Sequence, residues 1–443
     1  MPRKCCPFNP PADRAFPVLY ENRMIPVAVI ADDLTGAADT GIQFCRAMGP
    51  ACLLGIRSLK QVRFSEIPGV LSVYTNSRHL PASGADKSVR SAMRYLNAFE
   101  PQSLYKKIDS CLRGNIGTEM DAVMDAWGGR TSFVAPAFPA QGRTTLHGIH
   151  YLHGTPLSET EMAMDPVTPV HESSLPALLT RQSRLKVGHI DVDILDDGNP
   201  RVKDEVRRRI EDGCRHIVFD ACTEHHLKSI AQLAKEYFPK TLLAGSAGLA
   251  AGMVAAFNRI DARPRVSELF VTGNMLWACG SASEHLAGQV RLLVEKGGLA
   301  QIKLPPAILA DAGHTSAGRK LAALAEHPLT RNDLVLQIGP GSAADALFSP
   351  EEVLSGFSTV VENIVARCQP AALFLSGGDT AAIVLEAIGT RFVILKNEVL
   401  PGLTGGIISG GLMDGRVVVT KAGAFGQPDD LLTLYNRLKR KEA

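Results

Sequence analysis

The sequence lacks several features that would place it in particular protein classes. Its nine cysteines include no C-x-x-C pair and are odd in number, which argues against a disulfide framework or a zinc site and indicates a reducing compartment. No apolar run approaches the roughly 18 residues that a membrane helix needs. The net charge is only +2, and no long basic run favours nucleic acid or an anionic membrane as a partner. We therefore expect a cytoplasmic protein with small-molecule ligands, and the composition allows a homo-oligomer.

The length and the order of apolar segments predict the architecture. A chain of 443 residues is long enough for two or three domains with separate cores. Predicted strands alternate with helices in both halves, which favours an α/β fold of two domains with mainly parallel sheets and a ligand cleft between them. The predicted divisions are a disordered tail (1–23), a first α/β domain (24–258), a linker (259–268) and a second α/β domain (269–443).

The strand predictions rest on short runs rich in β-branched and apolar residues. They cover Val27–Ala31, Ala51–Ile56, Val70–Thr75, Leu104–Ile108, Ser132–Ala135, His216–Phe219, Val271–Cys279, Ile302–Leu304, Leu334–Ile338, Leu373–Leu375, Phe392–Leu395 and Val417–Thr420.

The most informative segment follows the first predicted strand. The apolar run Val27–Ala31 ends in Asp32 and Asp33, and Thr35 and Gly36 come next, where a helix could begin. Carboxylates at the C-terminal end of a buried strand lie where open α/β sheets place their ligand crevice. Two adjacent anions there suggest proton transfer, metal binding or hydroxyl recognition. An ordinary helix cap by Asp is the structural alternative.

Two further strand ends in the first half carry charged side chains. Asn76-Ser77-Arg78 follows the third strand, and the segment from Lys106 to Gly114 follows the fourth, with Asp109 and Arg113 inside it. Arginine and lysine could receive a carboxylate, while the aspartates could accept hydrogen bonds from hydroxyls or act as a base. This combination suits a small polyhydroxy acid. Structural ion pairing among the same residues is the alternative.

The second half places glycine-rich loops after its strands. Ser376-Gly377-Gly378-Asp379-Thr380 separates a strand from a helix, an arrangement that offers free backbone N–H groups to a phosphate. The segments Gly280–Ser283 and Lys421–Gly426 follow two other strands, and Glu398–Gly406 could cover a nucleotide. No Gly-Lys-Ser/Thr occurs at the Walker spacing, so a nucleotide site here would be of another type.

A possible dinucleotide-binding motif and a set of three histidines are weaker evidence for a functional site. Gly339-Pro-Gly341-Ser-Ala-Ala344 fits a dinucleotide fingerprint, but Pro340 removes a backbone N–H, and the acidic residue at the expected distance lies in a predicted helix. The three histidines at 147, 150 and 153 are interrupted by glycines and lack convincing ligand spacing. We expect no metal site built from protein ligands alone.

At this level of detail the chain resembles the four-carbon acid sugar kinases. The matching motifs, spread in order over roughly residues 27–430, are Ala31–Gly41, Asn76–Arg78, Lys107–Asn115, Ala135–Arg143, Gly280–Ser283, Ser376–Thr380 and Lys421–Gly426. The resemblance implies an acid-sugar-binding first domain, a nucleotide-binding second domain, and ATP-dependent phosphorylation of a terminal hydroxyl. The form Asp-Asp-Leu-Thr-Gly resembles the D-threonate and D-erythronate kinases more than the 3-oxo-tetronate kinases. We expect D-threonate as the substrate, with D-erythronate and 3-oxo-tetronate as alternatives.

The resemblance also assigns residues to roles. The base would be Asp33, with Asp32 or Asp109 next, and Mg²⁺ on the phosphates would be helped by Asp379 or a first-domain aspartate. Substrate contacts would come from Asp32, Asp33, Ser77, Arg78, Lys106, Asp109, Arg113 and Gly114. ATP contacts would come from Ser281, Ser283, Gly377, Gly378, Asp379, Thr380 and Gly423. Other functional classes that remain open are an NAD(P)-dependent dehydrogenase, which would use the Gly339 loop, and a non-catalytic sensor of sugar acids.

Overall fold

The structure, a computed structural model, describes most of the chain. It covers residues 24–439 except 60–61, 63, 65–66, 166, 258–267, 282, 313–314, 340–347 and 424. Three predicted segments lie outside the described residues. They are the tail, the linker except residue 268, and most of the dinucleotide-like loop after Gly339.

The first half alternates strands and helices. Its strands are β1 (Val27–Ala31), β2 (Ala51–Gly55), β3 (Val70–Tyr74), β4 (Ser103–Lys107), β5 (Ser132–Ala135), β6 (Arg143–Leu146), β7 (Ile149–Leu152), β8 (Thr155–Pro156), β9 (Val187–Ile190), β10 (His216–Phe219) and β11 (Leu242–Gly245). Its helices are α1 (Leu34–Met48), α2 (Ala82–Asn97), α3 (Ile116–Trp127), α4 (Leu175–Gln182), α5 (Val192–Asp196), α6 (Asn199–Glu211), α7 (Glu224–Tyr237) and α8 (Ala247–Ala256).

The second half repeats this alternation and adds one antiparallel hairpin. Its strands are β12 (Met275–Cys279), β13 (Ala300–Leu304), β14 (Leu334–Ile338), β15 (Ala372–Ser376), β16 (Phe392–Leu400), β17 (Leu403–Ser409) and β18 (Val417–Lys421). Its helices are α9 (Glu284–Gly297), α10 (Pro306–Ala312), α11 (Thr315–Arg331), α12 (Pro350–Cys368), α13 (Gly378–Ala387) and α14 (Asp430–Lys439). The segment Glu398–Gly406, which the sequence suggests could cover a nucleotide, forms the turn of the β16–β17 hairpin and the residues next to it.

The fold is α/β, as the sequence predicted, but the two halves share one sheet. The strand order is β13-β14-β12-β15-β18-β17-β16-β2-β3-β1-β4-β11-β5-β10-β9. The pairs are parallel except at β16–β17, β17–β18 and the pair β16–β2, which joins the two halves. A separate antiparallel sheet contains β6, β7 and β8.

The core lies on both faces of this sheet. All five residues of β1 are buried, which is typical of a parallel strand covered by helices on both sides. The helix α1 begins directly after it because the Asp33 side chain accepts a hydrogen bond from the backbone N–H of Gly36. Within the described residues, no helix combines the length and the apolarity needed to cross a membrane.

Candidate active site

The register of the sheet brings three polar strand ends of the first half together. Ala31 at the end of β1 pairs with Tyr74 of β3 on one side and with Lys107 of β4 on the other. The three strands therefore finish at the same level. Their following segments, which carry Asp32 and Arg78 among others, meet at one edge of the sheet, as the strand-end rule predicts.

Arg78 is the centre of a buried ion-pair cluster at this edge. Its Nε lies 2.6 Å from one Asp32 carboxylate oxygen, and its Nη2 donates to the other at 3.0 Å. The Nη1 group donates to Asp33 at 3.1 Å. All three side chains are less than 10% exposed, so this bidentate arrangement is shielded from solvent.

The carboxyl group of Asp33 has several donors. The Thr35 hydroxyl donates to it at 2.6 Å, and the Gly36 N–H donates at 3.0 Å. Burial alone would raise the pKa of Asp33, but the charges of Arg78 and Lys107 outweigh burial, and the pKa is lowered. Asp33 is therefore ionised at neutral pH. It caps α1 and belongs to the charged cluster at the same time.

Asp109 and Arg113 form a second pair beside the first. The Arg113 Nε donates to Asp109 at 2.8 Å, and its Nη2 donates to the other oxygen at 3.2 Å. Burial opposes ionisation of Asp109, yet the charges of Arg113 and Arg78 hold its pKa well below the usual range. Arg113 and Gly114 line an open cavity of about 380 Å³, which Arg78 and His79 also line.

The two lysines at the end of β4 have different environments because neighbouring strand residues face opposite sides of a sheet. Lys106, predicted to contact substrate, is fully buried and lies 2.7 Å from Glu119 of α3. Ser77, another predicted contact, is also fully buried and donates to Glu119 at 2.6 Å. These two residues are bonded to Glu119 and help to hold the strand ends of the site in place. Lys107 is 6% exposed, and its charge acts on Asp33 and Asp109.

The nucleotide-type loops of the second half also converge. Cys279 of β12 pairs with Ser376 of β15, which in turn pairs with Lys421 of β18. The loops that follow these strands are in contact, since a Cβ atom added at Gly423 would lie 2.5 Å from the Ser281 hydroxyl. Ser283 caps α9, as its position before a helix allows, and its hydroxyl also donates to the Gly423 carbonyl at 3.4 Å.

The segment from Gly377 to Thr380 has the geometry of an anion site. Gly377 has φ of 102°, a left-handed conformation that favours glycine, and α13 begins at the next residue. The first N–H groups of α13 have no partner within the helix, and the positive end of the helix dipole lies at the same place. The buried hydroxyl of Ser376 has no hydrogen-bond partner within the described part of the chain. These features fit a phosphate group.

Lys421 is a buried cation beneath the last of these loops. It is fully buried, and its Nζ donates to the carbonyls of Ala422 and Gly423 at 3.1 Å each. Burial lowers the pKa of Lys421 to about 8, only partly offset by Cys279 and Asp430. An anion bound at the loop would favour its charged form. The sequence motif contained this lysine, but sequence reasoning gave it no role.

The two halves of the site touch each other directly. A Cβ atom added at Gly378 would lie 2.7 Å from an Asp33 carboxylate oxygen and 3.3 Å from the Thr35 hydroxyl. His79 bonds Asp379 at 3.1 Å between its Nε2 and the carboxylate. The start of α13 therefore lies against the start of α1. A phosphate at α13 would be adjacent to the first-domain carboxylates.

Two buried polar residues near this contact were missed by sequence reasoning. Asp39, on α1, is 8% exposed, and Arg143, on β6, is 7% exposed. One Asp39 carboxylate oxygen and the Arg143 Nε have no hydrogen-bond partner within the described residues. The Arg143 guanidinium lies 4.7 Å from the ring centre of Phe425, which belongs to the second half. Asp39 could have been identified from the sequence as an acidic residue in the middle of an apolar predicted helix.

A separate group of histidine and aspartate side chains lies outside this cleft. Ligand atoms of His147, Asp191 and Asp220 lie within 4.8 Å of one another. Asp220 already accepts hydrogen bonds from the N–H groups of Gly148 and Val192. We interpret the group as structural, since these bonds hold three chain segments together.

Comparison with known proteins identifies the family of this chain. A model of a sugar-binding N-terminal domain matches residues 27–253, and a model of a nucleotide-binding C-terminal domain matches residues 276–431. The D-threonate kinase of Bordetella bronchiseptica is 32% identical over 433 residues, covering 94% of this chain and 98% of that protein. This chain belongs to the four-carbon acid sugar kinase family. The resemblance inferred from the motifs is thereby confirmed.

Two further proteins are similar to this chain along nearly their whole length. The D-erythronate kinase of Heliobacterium modesticaldum is 29% identical over 444 residues, covering 94% of this chain and 97% of that protein. A crystal structure of a Salmonella typhimurium LT2 protein superposes with a TM-score of 0.78 at 21% identity, covering 94% of this chain and all of that one. This structure supports the shared fold.

Proposed function

We propose that this protein transfers the terminal phosphoryl group of ATP to the 4-hydroxyl of a four-carbon acid sugar. The observation that carries the proposal is the contact between Gly378 and Asp33, since the added Cβ at Gly378 would lie 2.7 Å from the Asp33 carboxylate. This contact joins a phosphate-type helix start to a buried carboxylate from the other domain. In-line phosphoryl transfer needs both groups at one point.

In this proposal the nucleotide binds along the loops of the second half. The N–H groups at the start of α13, together with Ser281, Ser283 and Gly423, hold the phosphates. The carboxylate of Asp379 is half exposed at the cleft, and oxygen ligands of this kind suit Mg²⁺. When bound, the ion neutralises charge that develops on the phosphates.

The first half receives the acid sugar. The cavity that Arg113 and Gly114 line gives the acid sugar access to the side chains of Arg78 and Arg113. Asp33 accepts the hydrogen bond of the 4-hydroxyl, whose oxygen attacks the γ-phosphorus as the bond to ADP breaks. The proton passes to Asp33, with Asp32 and Asp109 as the other candidates.

A weakly basic carboxylate is adequate for this step. The transition state of phosphoryl transfer is loose, so little negative charge needs to be generated on the attacking oxygen. Positioning and charge compensation supply most of the rate. The fixed orientation of Asp33, held by Arg78, Thr35 and the N–H of Gly36, serves this purpose.

We favour D-threonate as the substrate. The support is the 32% identity to two D-threonate kinases, and the motif at Asp32–Gly36 favours D-threonate or D-erythronate over 3-oxo-tetronate. The test is release of ADP from ATP and Mg²⁺ with D-threonate, D-erythronate and 3-oxo-tetronate offered separately. We expect the highest kcat/KM with D-threonate. No ADP release with any of the three acids would overturn the kinase proposal.

A further inference from the structure

The arginines that face the site have few free donors for a substrate carboxylate. Each of the three guanidinium nitrogens of Arg78 already lies within 3.1 Å of an oxygen of Asp32 or Asp33. The three nitrogens of Arg113 lie 2.8–3.4 Å from an oxygen of Asp109 or Asp165. A bound carboxylate would find at most two of the five N–H donors free on each guanidinium, whose charge is already paired with aspartates. Its direct partners are better sought among cations that lack a carboxylate.

Two such cations lie close enough to Asp39 for their charges to lower its pKa. The Lys107 Nζ donates to the backbone carbonyl of Ile108 at 2.8 Å, and the Arg143 Nη1 donates to the carbonyl of Gln141 at 2.5 Å. Neither forms an ion pair within the described residues that meets a 4 Å limit. Both are more than nine-tenths buried, so each charge lacks full compensation. An anion placed between them would supply it.

Asp39 lies next to the same place. A Cβ atom added at Gly36 would lie 3.0 Å from the Lys107 Nζ, and Asp39 follows Gly36 by three residues on the same helix face. The helix rise places Asp39 about 4.5 Å further along the axis. An extended four-carbon acid measures about 6 Å from its carboxylate to its terminal oxygen, taking the bond projections of an extended chain. Because the Asp33 carboxylate accepts from the Gly36 N–H, a substrate with its 4-hydroxyl at Asp33 is long enough to extend along α1 to Asp39.

We propose that Asp39 and Arg143 form the subsite that recognises the carboxylate end of the acid sugar and its neighbouring hydroxyl. Arg143 and Lys107 hold the carboxylate, and the unpaired oxygen of Asp39 accepts a hydrogen bond from a hydroxyl on a middle carbon. This assignment rests on the proposed kinase function. It explains why a buried acceptor and a buried donor, the Asp39 oxygen and the Arg143 Nε, are both without partners.

The subsite distinguishes a hydroxyl from a carbonyl on a middle carbon. An ionised carboxylate can only accept a hydrogen bond, so it suits a hydroxyl and opposes the oxygen of a 3-oxo group. A protonated Asp39 can donate to that carbonyl. Burial and the charge of Glu398 raise the pKa of Asp39 to about 7, against the opposing charge of Lys107. The preference for hydroxy acids over 3-oxo acids should therefore increase as pH rises through about 7.

Several charged or titratable groups face Asp39 from the elements packed around it. Glu398 comes from β16, Lys107 from β4, Arg143 from β6, Tyr105 from inside β4, and Asp33 from the start of α1. Asp33 is held ionised by Arg78, and burial keeps the pKa of Tyr105 well above its usual range. Within this set, the carboxyl group of Asp39 is the one we expect to change charge near neutral pH.

The test measures kcat/KM for D-threonate and for 3-oxo-tetronate from pH 5.5 to 8.5. For the wild-type protein, we expect the ratio of kcat/KM for D-threonate to kcat/KM for 3-oxo-tetronate to increase about tenfold or more as pH rises across this range. The ionised Asp39 keeps a hydrogen bond with the hydroxyl of D-threonate, whereas with 3-oxo-tetronate it faces a second acceptor. Asp39→Asn should give a ratio independent of pH. The control Asp204→Asn, on the exposed α6, should keep the wild-type dependence.

Arg143 is tested separately. Arg143→Met should raise KM for both acids without removing the pH dependence of their ratio, and Arg143→Lys should restore part of the affinity. A flat wild-type ratio would overturn the proposal, as would an unchanged pH dependence in a folded Asp39→Asn. Should Asp39→Asn fail to fold, the wild-type ratio and the Arg143 variants decide the question alone.

Calorimetric binding of the two acids separates this proposal from the kinase function. Acid binding without ADP release would overturn the kinase function, and weaker binding by Arg143→Met would still support the subsite. If neither acid bound to the wild-type protein, the proposed subsite would be overturned.

Discussion

Replacing Gly378 by alanine tests the contact between the two halves of the site. Gly378 is not among the residues with positive φ, so alanine introduces no backbone strain. The new Cβ would lie 2.7 Å from an Asp33 oxygen and 3.3 Å from the Thr35 hydroxyl. Asp33 cannot easily move aside, because Arg78, Thr35 and the Gly36 N–H all hold its carboxylate.

The expected cost follows from these distances. Overpacking a well-filled contact costs about 1–3 kcal/mol, and a strain-free glycine-to-alanine change returns about 0.4–1 kcal/mol through the unfolded state. The net destabilisation of Gly378→Ala is therefore between about 0 and about 2.6 kcal/mol. If the helix start shifts instead, the phosphate and the acceptor hydroxyl separate, and a misplacement of about 1 Å can cost about 10²-fold in rate.

The assay combines thermal unfolding with ADP release. Gly288→Ala, in α9, is the matched control, because a Cβ there meets nothing within 4 Å. We expect Gly288→Ala to be as stable as wild type or slightly more stable, with unchanged kcat. Gly378→Ala should lower the melting temperature, kcat or both. If Gly378→Ala matched the control in both measurements, the contact between α13 and Asp33 would be refuted.

Three further predictions concern buried charges. Between pH 4 and 7 the folded protein keeps a proton on Asp39 that the unfolded chain has lost, because burial raises the Asp39 pKa from 3.8 to about 7. As pH rises through this window, Asp39 should therefore lower the stability by up to about 4 kcal/mol, and melting curves of Asp39→Asn should lack this contribution. Glu119→Gln removes the partner of Lys106, and denaturant unfolding should show a loss of about 3–5 kcal/mol, whereas a loss below about 1 kcal/mol would contradict the buried pair. Lys421→Met removes a buried cation beneath the nucleotide loop, so calorimetry should show at least about tenfold weaker ATP binding, and unchanged affinity would exclude this role.

Local patterns in the sequence predicted much of the fold. The bounds predicted for the strands Val27–Ala31, Ser132–Ala135 and Leu334–Ile338 coincide with those observed, because short apolar runs flanked by polar residues leave few alternatives. The strand Leu242–Gly245 was missed, since its four residues merge into a following helix signal. The joining pair β16–β2 could not be predicted, because it depends on contacts between distant segments.

The sequence predicted which strand ends form the candidate site, but not which of their charged side chains pair with each other. The strand-end rule located Asp32, Asp33 and Arg78 at one edge of the sheet. Their mutual ion pairs depend on which strands are neighbours, and sequence order does not reveal this. The roles of Lys106 and Lys107 depend on which face of β4 each residue occupies. Arg143 lies on the small antiparallel sheet and reaches the site only through tertiary packing.

The most direct test of the phosphoryl-transfer site uses ATP labelled on its γ-phosphate. With D-threonate and Mg²⁺, the wild-type protein should transfer the label to the 4-hydroxyl of the acid. Asp33→Asn should keep its affinity for ATP and lose about 10²-fold or more in kcat, because the residue that receives the hydroxyl proton is gone. Absence of label transfer by the wild-type protein, or full activity of a folded Asp33→Asn, would contradict the site described at α1 and α13.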